Sequence, residues 1–308
     1  MTTGNSASTS GSNLERSQRS VFKIIGPAIS NMGKMSLKKI INGGDSYQNY
    51  TSPFFIFDEF GPMELAKGAP FRVDAHPHAG IIPTTYLFEG NAHHRDSMGN
   101  DFQYEAGDFI QFTSGRGALH MEETGDGLFE NGGTFHGIQS WLNIPSGLKN
   151  SEPNAAHFRK EDIEIISDDK AMIRVILGEV FGVRSQTRLL MPVNYWHVTI
   201  KEGATVELPI DPQHNAFIYL LKGQLVVGNG QTVREGHAVL YERDGSVLRI
   251  HAKTTSDLLV LGGEVNNESY VAAGPFVLNN EKEVRQAYAD FKAGKYGDID
   301  QTNGKRRL

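Results

Sequence analysis

Short apolar runs punctuated by glycine, asparagine, aspartate and proline make up most of the chain from Val21 onward. Runs such as TTYLFEG, GDFIQFTSG and QSWLNIP are too short for amphipathic helices and are typical of strands joined by tight turns. The late segment LNNEKEVRQAYADFKAGKYG differs, because Asn280 and Glu283 have the spacing of a capping box and apolar residues recur behind them at helical intervals. The pattern predicts an all-β protein with one C-terminal helix, which we expect to pack on the outside of a β-domain.

A weak internal repeat divides the β-rich region into two halves. YLFEG at 86–90 is echoed by YLLKG at 219–223, an offset of 219 − 86 = 133. EAGDFIQF at 105–112 is echoed by REGHAVLY at 234–241, an offset of 234 − 105 = 129. Two β-domains of one type account for the repeat, and chance similarity among glycine turns is the alternative.

Three segments indicate the domain boundaries. The first nineteen residues almost lack apolar side chains, so we expect a disordered tail over 1–19. Polar and turn residues concentrate between 145 and 165, as in a connection between domains. We therefore expect the first domain at 20–150 and the second, which includes the terminal helix, at 165–300.

Composition excludes several kinds of partner and chemistry. The net charge of −6 and the pI near 6.0 give no reason to expect nucleic acid or an anionic membrane as a partner. The chain has no cysteine, which rules out disulfides, thiolate catalysis and thiolate-bound metals. No stretch has the form of a signal peptide or a membrane span, and a cytoplasmic location is the default expectation.

Four potential metal ligands occur as two pairs with the same spacing. His76 and His78 flank Pro77 in HPHAG. His120 and Glu122 follow a glycine turn in GRGALHME. Residues two apart share one face of a strand, and the proline favours an extended backbone at an edge or strand end. Two such strands would gather three imidazoles and a carboxylate around one point, which suits a first-row divalent ion.

Each pair alone has a more ordinary interpretation. An HxH pair is more often a surface or hydrogen-bonded feature than a metal site, and HxE is a weaker signal still. The adjacent His93 and His94 must face opposite ways in a strand, and we expect His94 to form a hydrogen bond within a turn. Only the combination of both pairs in one β-rich domain favours a metal site.

Several motifs, in order, carry a resemblance to a known family. HPHAG, TYLFEG, HRDSMGN, AGD, GRGALHMEE and IQSWLNIP resemble the pirin family of bicupins, from about Arg19 to Gly297. The resemblance implies two tandem cupin (jelly-roll-type) β-barrels with a C-terminal helix, and one metal ion in the N-terminal cupin. The implied ligands are His76, His78, His120 and Glu122. Fe(II) is the expected ion, and Mn, Co, Ni, Cu or Zn are accepted by the same donors.

Two places depart from the family pattern. Pirins commonly keep a glutamate shortly after the HxH pair, where this chain has Ile82 and Pro83. Glu122 is therefore the only obvious acidic ligand. A family NEP sequence in the second half reads NNESY here.

The second cupin lacks a matching ligand set. The repeat offsets place four other residues at its ligand positions: Pro209, Asp211, Arg249 and His251. We therefore expect this cupin to be metal-free.

The resemblance implies one of two kinds of function. Some bacterial pirins resemble quercetin 2,3-dioxygenases, which open flavonol rings with O₂, and Glu122 would then act as general base on the flavonol hydroxyl. Candidate pocket walls, for which core packing is the alternative, are Phe112, Leu119, Met121 and Phe135. Pirins also resemble non-enzymatic, metal-dependent regulators that bind a protein partner. A cupin isomerase is a weaker interpretation, because no sugar or keto-acid site is recognisable.

Overall fold

The computed structural model describes residues 17–33, 35–187 and 189–299 of the 308-residue chain. The strands of the first half are β1 Val21–Ile25, β2 Ala28–Met32, β3 Met35–Ile41, β4 Phe54–Leu65, β5 Arg72–His78, β6 Ile81–Glu89, β7 Asn91–Asp96, β8 Asp101–Glu105, β9 Phe109–Thr113, β10 Ala118–Thr124, β11 Gly133–Asn143 and β12 Asn154–Phe158. Those of the second half are β13 Glu164–Ser167, β14 Ala171–Leu177, β15 Glu179–Val180, β16 Val183–Arg184, β17 Val193–Ile200, β18 Thr205–Pro209, β19 Asn215–Lys222, β20 Gln224–Val227, β21 Gln231–Arg234, β22 Ala238–Tyr241, β23 Val247–Ala252, β24 Ser256–Gly263, β25 Val271–Ala273 and β26 Phe276–Leu278. The helices are α1 Gln48–Thr51, α2 Asp126–Asn131 and α3 Glu281–Lys292, with 3-10 turns at Ser146–Leu148 and Lys160–Asp162.

The strands form two barrels, each built from a seven-stranded and a four-stranded sheet. In the first barrel the strand orders are β12-β9-β6-β11-β4-β3-β2 and β5-β10-β7-β8. In the second barrel they are β1-β22-β19-β24-β17-β14-β13 and β18-β23-β20-β21. The orders correspond strand by strand, and the repeated YLFEG and YLLKG segments end the equivalent strands β6 and β19. The predicted all-β fold, with two similar barrels and a C-terminal helix, is confirmed.

The two seven-stranded sheets pack face to face between the barrels. Side chains alternate along β6, so Tyr86 enters the shared interface and Leu87 points into the first barrel. Phe57 of β4 contacts Phe217 and Tyr219 of β19, with ring centroids 5.8 and 5.4 Å apart. Strands buried on both faces need apolar residues at consecutive positions. This explains why the sequence shows apolar runs there instead of a strict alternation.

The N-terminal segment crosses to the second barrel. β1 pairs with β22 at the edge of the seven-stranded sheet, as β12 pairs with β9 at the edge of the corresponding sheet of the first barrel. Arg19 is fully buried there, and its guanidinium donates to three backbone carbonyls of the second barrel at 2.7, 2.8 and 2.9 Å. The prediction of a disordered tail over 1–19 is therefore wrong for 17–19, because these hydrogen bonds offset the entropy of ordering the segment. Residues 1–16 lie outside the described residues.

The C-terminal arm, residues 271–299, returns to the first barrel. It contains β25, β26 and α3, and its apolar side chains pack with Ala79 and Leu119. One half of the predicted capping box is present, because the side chain of Asn280 accepts a hydrogen bond from the backbone N–H of Glu283 at 3.0 Å; the Glu283 carboxylate accepts from the backbone N–H of Asn279, at 3.0 Å, and not from that of Asn280. α3 lies on the outside of a β-domain, as predicted, but the barrel that it covers is the first one.

None of the helices in the described parts of the chain is long and apolar enough to cross a membrane. The cytoplasmic location and the domain boundaries 20–150 and 165–300 stay predictions.

Candidate metal centre

The predicted ligands lie on two adjacent strands of the four-stranded sheet of the first barrel. β5 carries His76 and His78 and lies at the edge of the sheet. Proline has no backbone N–H, and Pro77 is tolerated at an edge because no second neighbouring strand there needs that hydrogen bond. β10 carries His120 and Glu122 and pairs with β5 so that His120 lies opposite His76. Directly paired residues share one face of a sheet, so this register brings imidazoles of both strands together.

The three histidines form one compact group. Nε2 of His120 lies 2.9 Å from Nε2 of His76. The ring centroid of His78 lies 4.9 Å from that of His76 and 5.0 Å from that of His120. One potential ligand atom of each histidine lies within 4.8 Å of those of the other two. The structure therefore brings together all three imidazoles selected from the sequence.

Backbone carbonyls determine the tautomers of two of these histidines. Nδ1 of His76 lies 2.8 Å from the carbonyl oxygen of Asp74, and Nδ1 of His78 lies 3.3 Å from that of Pro275. A carbonyl oxygen can only accept, so both Nδ1 atoms carry the proton and both Nε2 atoms keep a lone pair. Metal-binding histidines commonly have this arrangement.

Burial keeps His78 and His120 uncharged. Burial, reinforced by the neighbouring His76, lowers the pKa of His78 to about 3. Burial, followed by the two other histidines of the group, lowers the pKa of His120 well below its ordinary value. Nδ1 of His120 is buried and has no hydrogen-bond partner among the described residues. Neutral imidazoles with convergent lone pairs are donors that fit a first-row divalent ion.

Glu122 lies beside this group and not within it. Its Oε1 accepts hydrogen bonds from the hydroxyls of Thr85 at 3.1 Å and Tyr104 at 3.0 Å, whereas Oε2 has one long contact of 3.4 Å from the amide of Gln139. Burial, and then the charge of Glu122, raises the pKa of Tyr104 well above its ordinary value, so this hydroxyl keeps its proton and donates it. Oε2 is the carboxylate oxygen left for a metal ion or a substrate.

A histidine that the sequence analysis assigned to a turn belongs to this region. His94 lies in β7, is fully buried, and forms with His120 and Glu122 a second group of potential ligands within 4.8 Å. Its Nε2 lies 3.2 Å from Oδ2 of Asp96. The assignment to a turn is wrong, because β7 pairs with β10 and places His94 opposite Glu122. The signal in the sequence was the spacing of His94 and Asp96, which is the same two-residue spacing as in the other pairs.

Aromatic rings enclose the histidines. Phe112 stacks on His120 with centroids 4.5 Å and planes 5° apart, and Trp141 meets His78 edge-on at 4.8 Å. The other candidate wall residues lie elsewhere: Leu119 and Met121 pack with the C-terminal arm, and Phe135 packs against Phe60. Phe112 is thus the member of that set that contacts the histidines, and the sequence analysis missed Trp141.

Of the two residues that replace the family glutamate, Ile82 points away from the histidines. Ile82 belongs to the apolar cluster between the barrels, together with Tyr86 and Ile138 on the same side of the sheet. Thr85, on the opposite side of β6, is the residue that reaches Glu122. The departure at Ile82 therefore removes no ligand from the histidine group.

The equivalent positions of the second barrel take part in other interactions. Arg249 is largely exposed and pairs with Glu207 at 3.9 Å, and Nδ1 of His251 lies 3.0 Å from the hydroxyl of Thr205. Among the described residues, both groups of three potential ligands lie in the first barrel. That the second cupin is metal-free stays a prediction.

Comparison with known proteins identifies the family. The profile described as Pirin matches residues 35–142, and the profile of the pirin C-terminal cupin domain matches residues 195–297. A pirin-like protein of Solanum lycopersicum is 32% identical over 282 residues, which are 91% of this chain and 93% of that protein. The chain belongs to the pirin family.

Two further proteins similar to this pirin-family chain carry the name of an enzyme. A Pseudomonas aeruginosa protein provisionally named quercetin 2,3-dioxygenase is 32% identical over 250 residues, which are 80% of this chain and 87% of that protein. The crystal structure of a quercetin 2,3-dioxygenase from Acinetobacter baumannii matches with a TM-score of 0.87 at 26% identity, covering 92% of this chain and 100% of that one. The expected fold of two tandem cupins is confirmed by these matches.

Proposed function

We propose that this pirin-family protein binds one divalent metal ion and acts as a quercetin 2,3-dioxygenase-type oxygenase on flavonol-like substrates and O₂. The proposed ligands are His76, His78, His120 and Glu122. The observation that carries the proposal is the convergence of three imidazoles: His78 and His120 are buried, His76 is partly buried, and backbone carbonyls orient the Nε2 lone pairs of His76 and His78. Fe(II) is the preferred ion, and the same donors are compatible with Mn, Co, Ni, Cu or Zn.

The side chains of the centre have separate tasks in holding the ion. The histidines present neutral nitrogen donors, and the stacked ring of Phe112 limits the rotation of His120. Glu122 completes the set through Oε2, because its Oε1 is already engaged by the hydroxyls of Thr85 and Tyr104. A bound divalent ion supplies Lewis-acid chemistry, which polarises a coordinated oxygen and lowers the pKa of its hydroxyl.

Glu122 is also the proposed general base. Oε2 has two lone pairs, so beside the one offered to the ion the other would accept the proton of a nearby flavonol hydroxyl, and the resulting enolate is the electron-rich form that reacts with O₂. The two hydroxyl donors on Oε1 hold the carboxylate in one orientation during the transfer. Loss of a general base typically lowers a rate by about 10²–10⁴-fold.

Two observations support a flat aromatic substrate. The rings of Phe112 and Trp141 border the histidines and provide apolar surface beside them. The relatives from Pseudomonas aeruginosa and Acinetobacter baumannii, at 32% and 26% identity, carry the name of a flavonol-cleaving enzyme.

The test follows flavonol absorbance and O₂ uptake by metal-reconstituted protein. Wild type should consume both reactants, His76→Ala should retain less metal, and Glu122→Gln should turn over about 10²–10⁴-fold more slowly. Glu207→Gln, which changes an exposed carboxylate of the second barrel, is the matched control and should behave as wild type. Absence of turnover by fully loaded wild type across several flavonols would overturn the enzymatic part of the proposal.

The second candidate is a non-enzymatic, metal-dependent regulator that binds a protein partner. The burial of the centre favours it, because His78 and His120 are only 1% and 2% exposed. This candidate requires the same bound metal but no turnover, so metal analysis and O₂ uptake on one preparation distinguish the two functions.

A further inference from the structure

The C-terminal arm reaches the histidine group from far along the chain. Pro275 provides the carbonyl oxygen 3.3 Å from Nδ1 of His78, and the two residues are 197 positions apart. The next residue, Phe276, is fully buried and forms a parallel bridge with Ala79. The arm is therefore packed directly behind the HPHAG segment.

Two motif glycines leave room for the arm. A Cβ atom on Gly80 would lie 2.0 Å from the carbonyl oxygen of Val277, and one on Gly117 would lie 2.2 Å from the ring of Tyr296. Both glycines also have positive φ angles, +77° and +130°, which other residues rarely adopt. The glycines of HPHAG and GRG are thus required by the close approach of the arm as well as by their own turns.

A buried lysine ties the arm to the first barrel. Lys149 is 2% exposed, and its Nζ donates to the carbonyl of Val277 at 2.8 Å, the carbonyl of Gly80 at 3.0 Å and Oδ1 of Asn143 at 2.6 Å. One ammonium group therefore joins the arm, the HPHAG turn and the end of β11. A buried charge costs free energy unless it is hydrogen-bonded, and here all three donors have acceptors.

We propose that the C-terminal arm is a positioning element of the metal centre and that Lys149 holds it in place. The arm supplies no ligand; through Pro275 it keeps the proton of His78 on Nδ1 and so directs Nε2 towards the ion. His76 is independent of the arm, because its carbonyl partner Asp74 lies in the same strand. The inference rests on the proposed metal centre and makes metal binding dependent on a segment from the other end of the chain.

The first experiment compares Co(II) affinity, by chelator competition, in full-length wild type and Lys149→Met. Partners behind metal-bound histidines typically contribute about 10–100-fold in affinity, so we expect Lys149→Met to bind at least about 10-fold more weakly. Lys160→Met is the control, because the Lys160 side chain is 47% exposed and pairs with Glu105. Equal affinities of the two variants would overturn the role of the arm. Failure of wild type itself to bind Co(II) would refute the metal centre, and the role of the arm with it.

Lys149→Met takes one donor from each of three buried acceptors and could prevent folding, so a milder pair of variants is also compared. Val284 of α3 is 6% exposed and anchors the arm, whereas Val233 is fully buried in the second barrel. Val284→Ala should release Co(II) to a chelator several-fold faster than wild type, and Val233→Ala should not. Equal release rates in the two variants would contradict the proposal.

Nitrogen-15 NMR of labelled histidine gives a readout that general destabilisation does not mimic. In wild type, His78 should carry its proton on Nδ1, with slow exchange against water. In Lys149→Met, part of the His78 population should carry the proton on Nε2 instead, because the carbonyl of Pro275 no longer holds it on Nδ1. A wild-type His78 protonated on Nε2 instead would overturn the proposal.

Discussion

The Asp58→Asn variant is expected to be more stable than wild type, and the difference in free energy of unfolding should be much larger at alkaline pH than at acidic pH. Asp58 pairs with Gln139, and Gln139 pairs with Thr85, so their side chains form a row on the side of the sheet where Glu122 lies. Burial raises the pKa of Asp58 to about 7, against the opposing charge of Lys39. Its Oδ1 is buried without a hydrogen-bond partner among the described residues. Asparagine keeps the shape and removes the poorly solvated charge.

The magnitude follows from the difference between the two pKa values of Asp58. The ordinary value of 3.8 applies to the unfolded chain and about 7 to the folded one. At about 1.4 kcal/mol per pH unit, the charge costs up to about 4 kcal/mol. Between these pKa values the unfolded chain has lost the proton and the folded chain keeps it, so the free energy of unfolding falls as pH rises. About 2 kcal/mol of this cost develops between roughly pH 5.5 and 8.5.

The assay is urea unfolding of metal-free wild type and Asp58→Asn at about pH 5.5 and about pH 8.5. Titration of the histidines is common to both proteins and cancels in the difference between them. The urea midpoint of the variant should exceed that of wild type, and this difference should be roughly 0.7 M larger at the higher pH for an m-value of about 3 kcal/mol/M.

Glu207→Gln is the control, because this carboxylate is exposed, and its effect should be similar at both pH values. A stability difference between wild type and Asp58→Asn that does not change with pH would refute the reasoning. It would mean that the Asp58 carboxyl is solvated in the folded protein.

The metal centre leads to two further expectations. Elemental analysis should find that His120→Ala loses the metal. His251→Ala should keep it, because the His251 side chain is hydrogen-bonded to Thr205 in the second barrel. Normal metal content in His120→Ala would remove that residue from the ligand set. Burial lowers the pKa of His78 to about 3 and that of His120 well below its ordinary value, so protons should compete with the ion for these imidazoles only in strong acid, and the metal should leave Glu122→Gln at higher pH than wild type. Release of the metal at the same pH from Glu122→Gln and from wild type would remove Glu122 from the ligand set.

The sequence by itself determined the features that depend on near neighbours. A spacing of two places His76 with His78, and His120 with Glu122, on one face of a strand wherever that strand lies. Short apolar runs between glycine turns were sufficient for an all-β chain, and their repeat indicated two similar barrels. The capping box at Asn280 was equally local, because its hydrogen bonds join residues three apart.

The orientation of Glu122 and the role of His94 did not follow from such rules. Spacing places Glu122 on the correct face of β10, but Thr85, Tyr104 and Gln139 come from three other strands and decide where its carboxylate points. His94 was misplaced because its importance depends on the register between β7 and β10, which the pattern of either strand alone does not specify.

Only the tertiary structure decided which segments cover which barrel. Apolar patterning shows that a face must be buried, but the hydrophobic effect has no direction and does not specify the partner. The chain could therefore send β1 to the second barrel and the C-terminal arm to the first without any local signal. The contact between His78 and Pro275, and the raised pKa of Asp58, both arise from neighbours that are distant in sequence. Such neighbours are set by how whole sheets pack, and this is the information that a single sequence does not carry.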